Sequence, residues 1–181
     1  MPTNGSFIIL LVRIGVVAII GWSGWVQMNA YISSDVGWHL QVAQRVFNGE
    51  KLYQDIIEVN MPLVYYMRLI PVAIQYYIGG KLTTLVTLFH IGIAISMFWL
   101  TSRVMQRSSQ LINAPLRSIL EIILAIAIFW VPLVLPTNQF GQKEHLFILL
   151  IMPYVMNTVC NDPMTVTTRV AIAVLAAIGF T

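Results

Sequence analysis

The sequence predicts an all-α integral membrane protein, a multi-span helical bundle with an outer loop that contains amphipathic interfacial helices. Hydrophobic residues make up 58% of the 181 positions and charged residues only 9%, whereas a soluble domain carries about 25% charged residues. Mean hydropathy is +0.80, and several apolar runs approach the roughly 20 residues that a helix needs to cross a bilayer. Most of the surface is therefore expected to face hydrocarbon.

Five apolar runs give the predicted spans. They occupy residues 7–27, 82–101, 118–136, 144–159 and 170–181. The last run has 12 residues and reaches only about 18 Å as a helix, which is too short to cross. We therefore expect residues 1–181 to be the N-terminal part of a longer transmembrane domain, with residues 28–80 as its outer loop.

The arginines predict the orientation of the spans. The connection at 102–117 carries Arg103, Arg107 and Arg117 and no acid, so the positive-inside rule places it in the cytoplasm. Alternation then puts the N-terminus inside and residues 28–80 outside. The sequence has no lysine-rich or arginine-rich block of the kind that binds nucleic acid, and the single Cys160 cannot form an internal disulfide.

A polar stretch, "SSDVGWHLQVAQRVFNGEKLYQD", separates the apolar runs at residues 33–55. The two serines at its start are good N-cap residues, and Asp35 stands in the first turn, where its charge suits the helix dipole. Asn48-Gly49 has the composition of a C-cap. We predict an amphipathic helix over residues 35–48 that lies along the membrane surface, with Asp35 and His39 on one face. The apolar face consists of Val36, Leu40, Ala43 and Phe47.

Two further groups of polar residues fall on the same predicted side. Asp55 and Glu58 follow in the outer loop, before "NMPLVYYM" starts another apolar helix at Pro62. The turn "GQKEH" at 141–145 supplies an amide, a lysine, a glutamate and a histidine at the start of a helix. Ordered loops on a rigid scaffold often carry function, so both groups are candidate site residues.

The order of these residues resembles the first outer loop of the GT-C glycosyltransferases that use polyprenyl-phosphate sugars. Protein O-mannosyltransferases and lipid A aminoarabinose transferases share this loop: an acid after the first span, a helix ending in glycine, "x-Tyr-x-Asp" and a "Pro-Leu-x-Tyr" helix start. The pattern falls here on Asp35, Gly49, Tyr53, Asp55, Pro62, Leu63 and Tyr65. "GQKEHL" resembles a turn of some bacterial members, and the resemblance covers most of residues 7–160.

The resemblance implies an inverting membrane glycosyltransferase of the bacterial inner (plasma) membrane, with its N-terminus in the cytoplasm. It would move a sugar from a polyprenyl-phosphate donor to a glycan, lipid or protein acceptor on the outer face. Asp35 would be the catalytic base. The expected substrate-binding residues are His39, Asp55, Glu58, Gln142, Lys143, Glu144 and His145. Residues 1–181 alone, as an N-terminal portion, are expected to be inactive.

The sequence departs from the family pattern at two places, one that bears on a metal site and one at the start of the helix at Pro62. Val36 stands where many relatives have a second acid, and Asn60-Met61-Pro62 stands where a double proline is common. No cofactor is certain from this sequence, and a divalent cation is doubtful.

Elementary chemistry agrees with these assignments but leaves alternatives open. A transferase needs a carboxylate to take the acceptor proton and cationic or N–H groups to stabilise the departing phosphate, and Asp35 and Lys143 are of these types. Asp35 could instead be only a capping acid, and Lys143 an interfacial anchor.

Two alternative functions also remain: a multi-span transporter or flippase subunit, and a non-catalytic membrane scaffold or pseudoenzyme. Transporters usually place their functional acids within spans, near the midplane, whereas these acids cluster in one outer loop.

Thiol labelling tests the predicted orientation. Single cysteines at positions 50 and 109, in a chain without Cys160, are exposed in intact cells to a membrane-impermeant thiol reagent. We expect labelling at position 50 only, because the arginine-rich connection is retained inside. Labelling only at position 109 would reverse the topology.

Overall fold

The structure is a computed structural model that describes residues 4–107, 114–136, 139–160 and 165–180. Within these ranges the chain is all-helical and contains no β-strand. Its helices are α1 (Asn4–Asn29), α2 (Ser34–Phe47), α3 (Leu63–Ile78), α4 (Leu82–Arg107), α5 (Ala114–Ala125), α6 (Val131–Leu133), α7 (Lys143–Cys160) and α8 (Val166–Phe180), with a π-helical turn, Ile126–Trp130, between α5 and α6. Part of the predicted cytoplasmic connection at 102–117 and the end of the fifth run at 181 lie outside the described residues.

Two of the described helices are long and apolar enough to cross a membrane. These are Phe7–Asn29 and Leu82–Arg107, which contain the first two predicted spans. The third predicted run is not one uninterrupted α-helix, because the π-helical turn divides it. Pro132 is the second residue after this turn and has no N–H to donate to the preceding turn. Residues 166–179 form a shorter apolar helix.

The core joins the long helices into a bundle. α1 packs on α5 and the π-helical turn, α4 on α7, and α7 on α8. The hydroxyl of Ser23 on α1 donates to the carbonyl oxygen of Phe129 at 3.2 Å, and the Gln27 amide donates to that of Leu133. Apolar side chains fill the centre, among them Ala94, Met97, Leu124, Ile128, Phe129, Leu133, Phe140 and Leu149.

Helix α2 has the boundaries that its capping residues predict. The Ser33 hydroxyl accepts the backbone N–H of Val36 at 3.3 Å, and Asn48 is the C-cap. Gly49 follows with φ 99°, a conformation that glycine adopts without steric cost. The predicted apolar face contacts protein: Val36 and Leu40 are buried against Val86 of α4. The part of the apolar face that contains Val36 and Leu40 is therefore covered by the helical bundle.

The loop between α2 and α3 is ordered by contacts of its own. Val42 of α2 packs with Ile56, Val64 and Tyr65, and the Tyr53 hydroxyl donates to the carbonyl oxygen of Asn60. Tyr53 has φ 66°, which is uncommon for a residue with a side chain. The chain between Asn48 and Pro62 is therefore held in a defined path that returns to the start of α3.

Candidate functional site

An open polar cleft of about 390 Å³ lies where α2, the start of α3 and the start of α7 meet. It is lined by Asp35, Trp38, His39, Asn60, Gln142, Lys143 and Glu144. Five of these residues were predicted from the sequence as site residues, although they come from segments about a hundred positions apart. The fold therefore brings the acid-bearing helix and the "GQKEH" turn to one place.

Asp35 stands at the mouth of the cleft, in the first turn of α2. Its carboxylate is exposed, and its Oδ2 accepts a hydrogen bond from the Gln142 side-chain amide at 3.2 Å. Gln142 also donates to the side-chain oxygen of Gln139 at 2.5 Å. The other oxygen of the Asp35 carboxylate has no hydrogen-bond donor among the described residues, so it can accept a proton from a molecule in the cleft.

Lys143 and Glu144 form the part of the cleft wall that α7 contributes. The Lys143 ammonium group donates to the side-chain oxygen of Asn60 at 2.9 Å, which is a neutral partner, so its positive charge is not cancelled. Lys143 is also the first residue of α7, and helix N-termini attract anions through their free N–H groups and the helix dipole. This wall of the cleft is therefore suited to an anion, with Glu144 exposed beside it.

His39 forms part of the cleft floor and is only 5% exposed. Its ring packs edge-on against Tyr65 with centroids 5.4 Å apart, and its Nδ1 has no hydrogen-bond partner among the described residues. Burial and the charges of Arg68 and Lys143 lower the pKa of His39, against the opposing influence of Glu58 and Asp35. The imidazole is therefore neutral at pH 7 and can hydrogen-bond a polar ligand.

Glu58 lies behind the cleft and orders its wall. Its carboxylate accepts the indole N–H of Trp38 at 2.6 Å, the backbone N–H of Val59 at 2.8 Å and the Asn60 amide at 3.1 Å. Burial alone would raise the pKa of Glu58, but hydrogen bonds from Trp38, Tyr65 and the backbone outweigh it and lower this pKa to about 2. Glu58 is therefore an ionised positioning group and not a proton donor at neutral pH.

Beneath the cleft, the guanidinium of Arg68 joins three parts of the fold. Arg68 is fully buried on α3; its Nη1 lies 3.2 Å from Nε2 of His90 on α4, and its Nη2 donates to the Gly141 carbonyl oxygen. The His90 Nδ1 lies 2.8 Å from the Val86 carbonyl oxygen, which can only accept. Nδ1 therefore carries the proton, and Nε2 accepts from Arg68.

Gly141 is the point at which this network reaches the cleft. It has φ 86°, and a Cβ atom there would lie 3.6 Å from the His90 ring and 3.7 Å from Val36. Positive φ values are strained for residues with a side chain. Glycine thus allows the turn that presents Gln142 and Lys143, the next two residues, to the cleft.

Three predicted site residues do not line the cleft. Asp55 is exposed, and its carboxylate accepts the backbone N–H of Lys51 at 2.8 Å, so it closes a turn of its own loop. Glu58 acts from behind Trp38 and Asn60, as described above. His145 is half-buried on α7 and is absent from the lining. A helix turns by 100° per residue, which carries position 145 away from the wall formed by 143 and 144.

Three residues of the site were missed by sequence analysis. Trp38 and Asn60 line the cleft, and Arg68 supports it from below. The available signal for Arg68 was a lone basic residue inside the apolar run "LVYYMRLIPVAIQYYI". Such a residue has to find polar partners when it is buried, but its sequence neighbours do not identify them.

No protein family, curated protein or solved structure matches the chain. Within the described ranges, no group of three or more histidine, cysteine, aspartate or glutamate side chains could hold a metal ion.

The low pKa of Glu58 predicts an acid-dependent loss of stability. A carboxylate whose pKa is about 2 in the folded protein and about 4.3 in an unfolded chain stabilises the fold above pH 4.3. That stability is lost as the pH falls from about 4.3 to about 2. We expect the melting temperature of the purified protein to fall over this window, and Glu58→Gln to flatten the fall.

Trp38→Phe is the matched control for this experiment. It keeps an aromatic ring but removes the N–H that donates to Glu58, so the pKa of Glu58 in the folded protein should rise. The loss of stability should still begin near about pH 4.3, but it should be smaller and end at a higher pH than in the wild-type protein. Identical pH profiles for the wild-type protein and Glu58→Gln would contradict the assignment of the effect to this carboxylate.

Proposed function

We propose that the chain belongs to a membrane-embedded glycosyltransferase of GT-C type, which moves a sugar from a polyprenyl-phosphate donor to an acceptor hydroxyl at the outer membrane face. The observation that carries the proposal is the cleft that Asp35 and Lys143 both line, with the Gln142 amide bonded to Asp35. A proton acceptor and an anion-binding wall in one open cleft are the two elements that this reaction requires.

A multi-span membrane bundle is the setting that we propose for this cleft. Two described helices are long and apolar enough to cross a bilayer, and α1 exposes a continuous apolar surface. Its large exposed residues include Phe7, Ile8, Leu10, Leu11, Ile14 and Val17. Contiguous apolar surface of this extent is rare on soluble monomers and is typical of protein that contacts lipid.

In the proposed reaction, Asp35 removes the proton of the acceptor hydroxyl. The acceptor oxygen forms a bond to the anomeric carbon while the bond from that carbon to the lipid-phosphate oxygen breaks, so the configuration inverts. The proton ends on the Asp35 carboxylate, and the electron pair leaves with the phosphate. Asp35 suits this role because its carboxylate is exposed to the cleft and has one neutral partner, the Gln142 amide.

The leaving phosphate would be stabilised at the Lys143 wall. The Lys143 ammonium group is held toward the cleft by Asn60, and the first N–H groups of α7 add their partial positive charge. The buried charge of Arg68 acts on the same region, as its influence on His39 indicates. Preorganised positive groups of this kind favour the transition state because the charge on the phosphate grows as the bond breaks.

A small apolar crevice, of about 20 Å³, adjoins this wall. It is lined by Leu63, Val64, Met67, Leu146, Leu150 and Ile178, and Lys143 borders both the crevice and the cleft. A phosphate bound at Lys143 would therefore have apolar surface directly beside it, which the end of the lipid chain nearest the phosphate would contact. His39 and Glu144 are the remaining polar groups of the cleft, and we assign them to hydroxyl groups of the sugar or acceptor.

The alternative function as a transporter or flippase subunit receives less support. Transporters usually hold their functional acids near the membrane midplane. In the described part of the chain, the long apolar helices α1 and α4 contain no acidic residue. The acids that line the cleft lie in the first turns of α2 and α7.

Substitution of Asp35 tests the proposed base. Asp35→Asn keeps the size of the side chain and an oxygen that can accept from Gln142, but it removes the proton acceptor. We expect sugar transfer by the full-length protein in membranes to fall by about 10² to 10⁴ at matched expression and unchanged melting temperature. Lys143→Ala should instead weaken donor binding or leaving-group stabilisation.

Asp55→Asn is the matched control, because it makes the same chemical change at an exposed carboxylate outside the cleft. Its transfer rate should stay close to that of the wild-type protein. Near-normal transfer by Asp35→Asn would show that this acid is only a helix-capping residue, and the proposed function of the cleft would fail with it.

A further inference from the structure

A second polar cleft, of about 270 Å³, lies at the opposite end of the bundle. It forms where α4 ends and α5 begins, against the first half of α1. Its polar lining includes Arg13, Gln106, Arg117 and Glu121, and its apolar lining includes Ile9 and Val12. The cleft shares no lining residue with the one that contains Asp35, and the proposed transfer reaction leaves it without a role.

The lining of this cleft contains more basic than acidic side chains. Two guanidinium groups, of Arg13 and Arg117, and one carboxylate, of Glu121, are among the lining residues. Glu121 accepts a hydrogen bond from the Gln106 amide at 3.3 Å. Arg13 has neither a hydrogen bond nor an ion pair to any described residue. A guanidinium has five N–H donors and no acceptor, so an unpartnered one beside apolar surface favours a bound anion.

The surroundings of the cleft select between kinds of anion. Ile9 and Val12 line it directly, and α1 exposes Phe7, Leu10 and Ile14 close by. A free phosphate ion would gain nothing from this apolar surface, whereas the acyl chains of a lipid would. The cleft also lies level with the last turn of α4, because Gln106 is the penultimate residue of that helix. The ends of membrane helices are at the depth of lipid headgroups.

We propose that this cleft binds an anionic phosphate diester, supplied as the headgroup of a membrane phospholipid whose chains lie along α1. Arg13 and Arg117 would contact the phosphate oxygens, and Glu121 would limit the affinity and hold Gln106. The proposal rests on the membrane placement proposed above and not on sugar transfer, so each can fail without the other. Basic clusters beside membrane helices recognise anionic headgroups by this chemistry.

Calorimetric titration of the full-length protein in a neutral detergent tests the proposal. The probes are dioctanoyl phosphatidylglycerol, which has a diester with net negative charge, dioctanoyl phosphatidylcholine, which is zwitterionic, and inorganic phosphate. We expect phosphatidylglycerol to bind at least about fivefold more tightly than either of the others, since one basic group near a phosphate contributes about 1 kcal/mol.

Three variants distinguish binding in this cleft from binding to Arg103, a nearby arginine that does not line it. Arg13→Gln should weaken phosphatidylglycerol binding about fivefold, and Glu121→Gln should tighten it about fivefold. The second change alters affinity in the opposite direction, so it cannot be mistaken for unfolding. Arg103→Gln is the control, because Arg103 stacks on the Trp99 ring at 5.3 Å and does not line the cleft. It should leave the affinity unchanged.

Three results would overturn the proposal. Equal affinity for inorganic phosphate and phosphatidylglycerol would show a free-anion site, and equal affinity for both lipids would show that charge is not recognised. Wild-type affinity in both Arg13→Gln and Glu121→Gln would place the bound lipid elsewhere. Sugar transfer is not measured in this experiment, so its outcome is independent of the function proposed for the Asp35 cleft.

Discussion

The buried guanidinium of Arg68 is the constraint on which the arrangement of the cleft depends. It is fully removed from solvent and forms no ion pair with any described residue. A buried charge is costly unless hydrogen bonds satisfy it. The partners are the ring of His90 on α4 and the carbonyl oxygen of Gly141 before α7. Three helices must therefore stay in register around one side chain.

This constraint determines where the chemistry can occur. Because Gly141 is held by Arg68, the next two residues have defined positions: Gln142 reaches Asp35, and Lys143 reaches Asn60. The same positive charge helps to lower the pKa of His39, so the cleft floor stays neutral while its wall stays cationic. Glu58 orders the opposite side through Trp38 and Asn60. Arg68 and Glu58 thus hold the residues of the cleft in place before any ligand binds.

Local features could be predicted from the sequence because they depend on neighbouring residues. The bounds of α2 follow from its Ser33 N-cap and its Asn48 C-cap, and the start of α3 follows from Pro62. Features that depend on tertiary packing could not be predicted, such as the π-helical turn inside the third apolar run. The position of Asp55 in the loop predicts a site residue, but the structure does not place it in the cleft. Tyr53 has a positive φ, and the Asp55 carboxylate accepts the backbone N–H of Lys51 within its own turn. Arg68 has no partner within one helical turn, so only the folded chain identifies its role.

Crosslinking between Asp35→Cys and Gln142→Cys tests most directly whether Arg68 holds the cleft together. Membranes containing this double variant, without Cys160, are treated with a short bifunctional thiol reagent. Efficient crosslinking is expected, because the two native side chains are hydrogen-bonded at 3.2 Å. Adding Arg68→Met should strongly reduce the crosslinked fraction, whereas Arg45→Met, at an arginine paired with Glu50 on the surface, should not. An undiminished crosslinked fraction with Arg68→Met would show that Arg68 does not hold the cleft together.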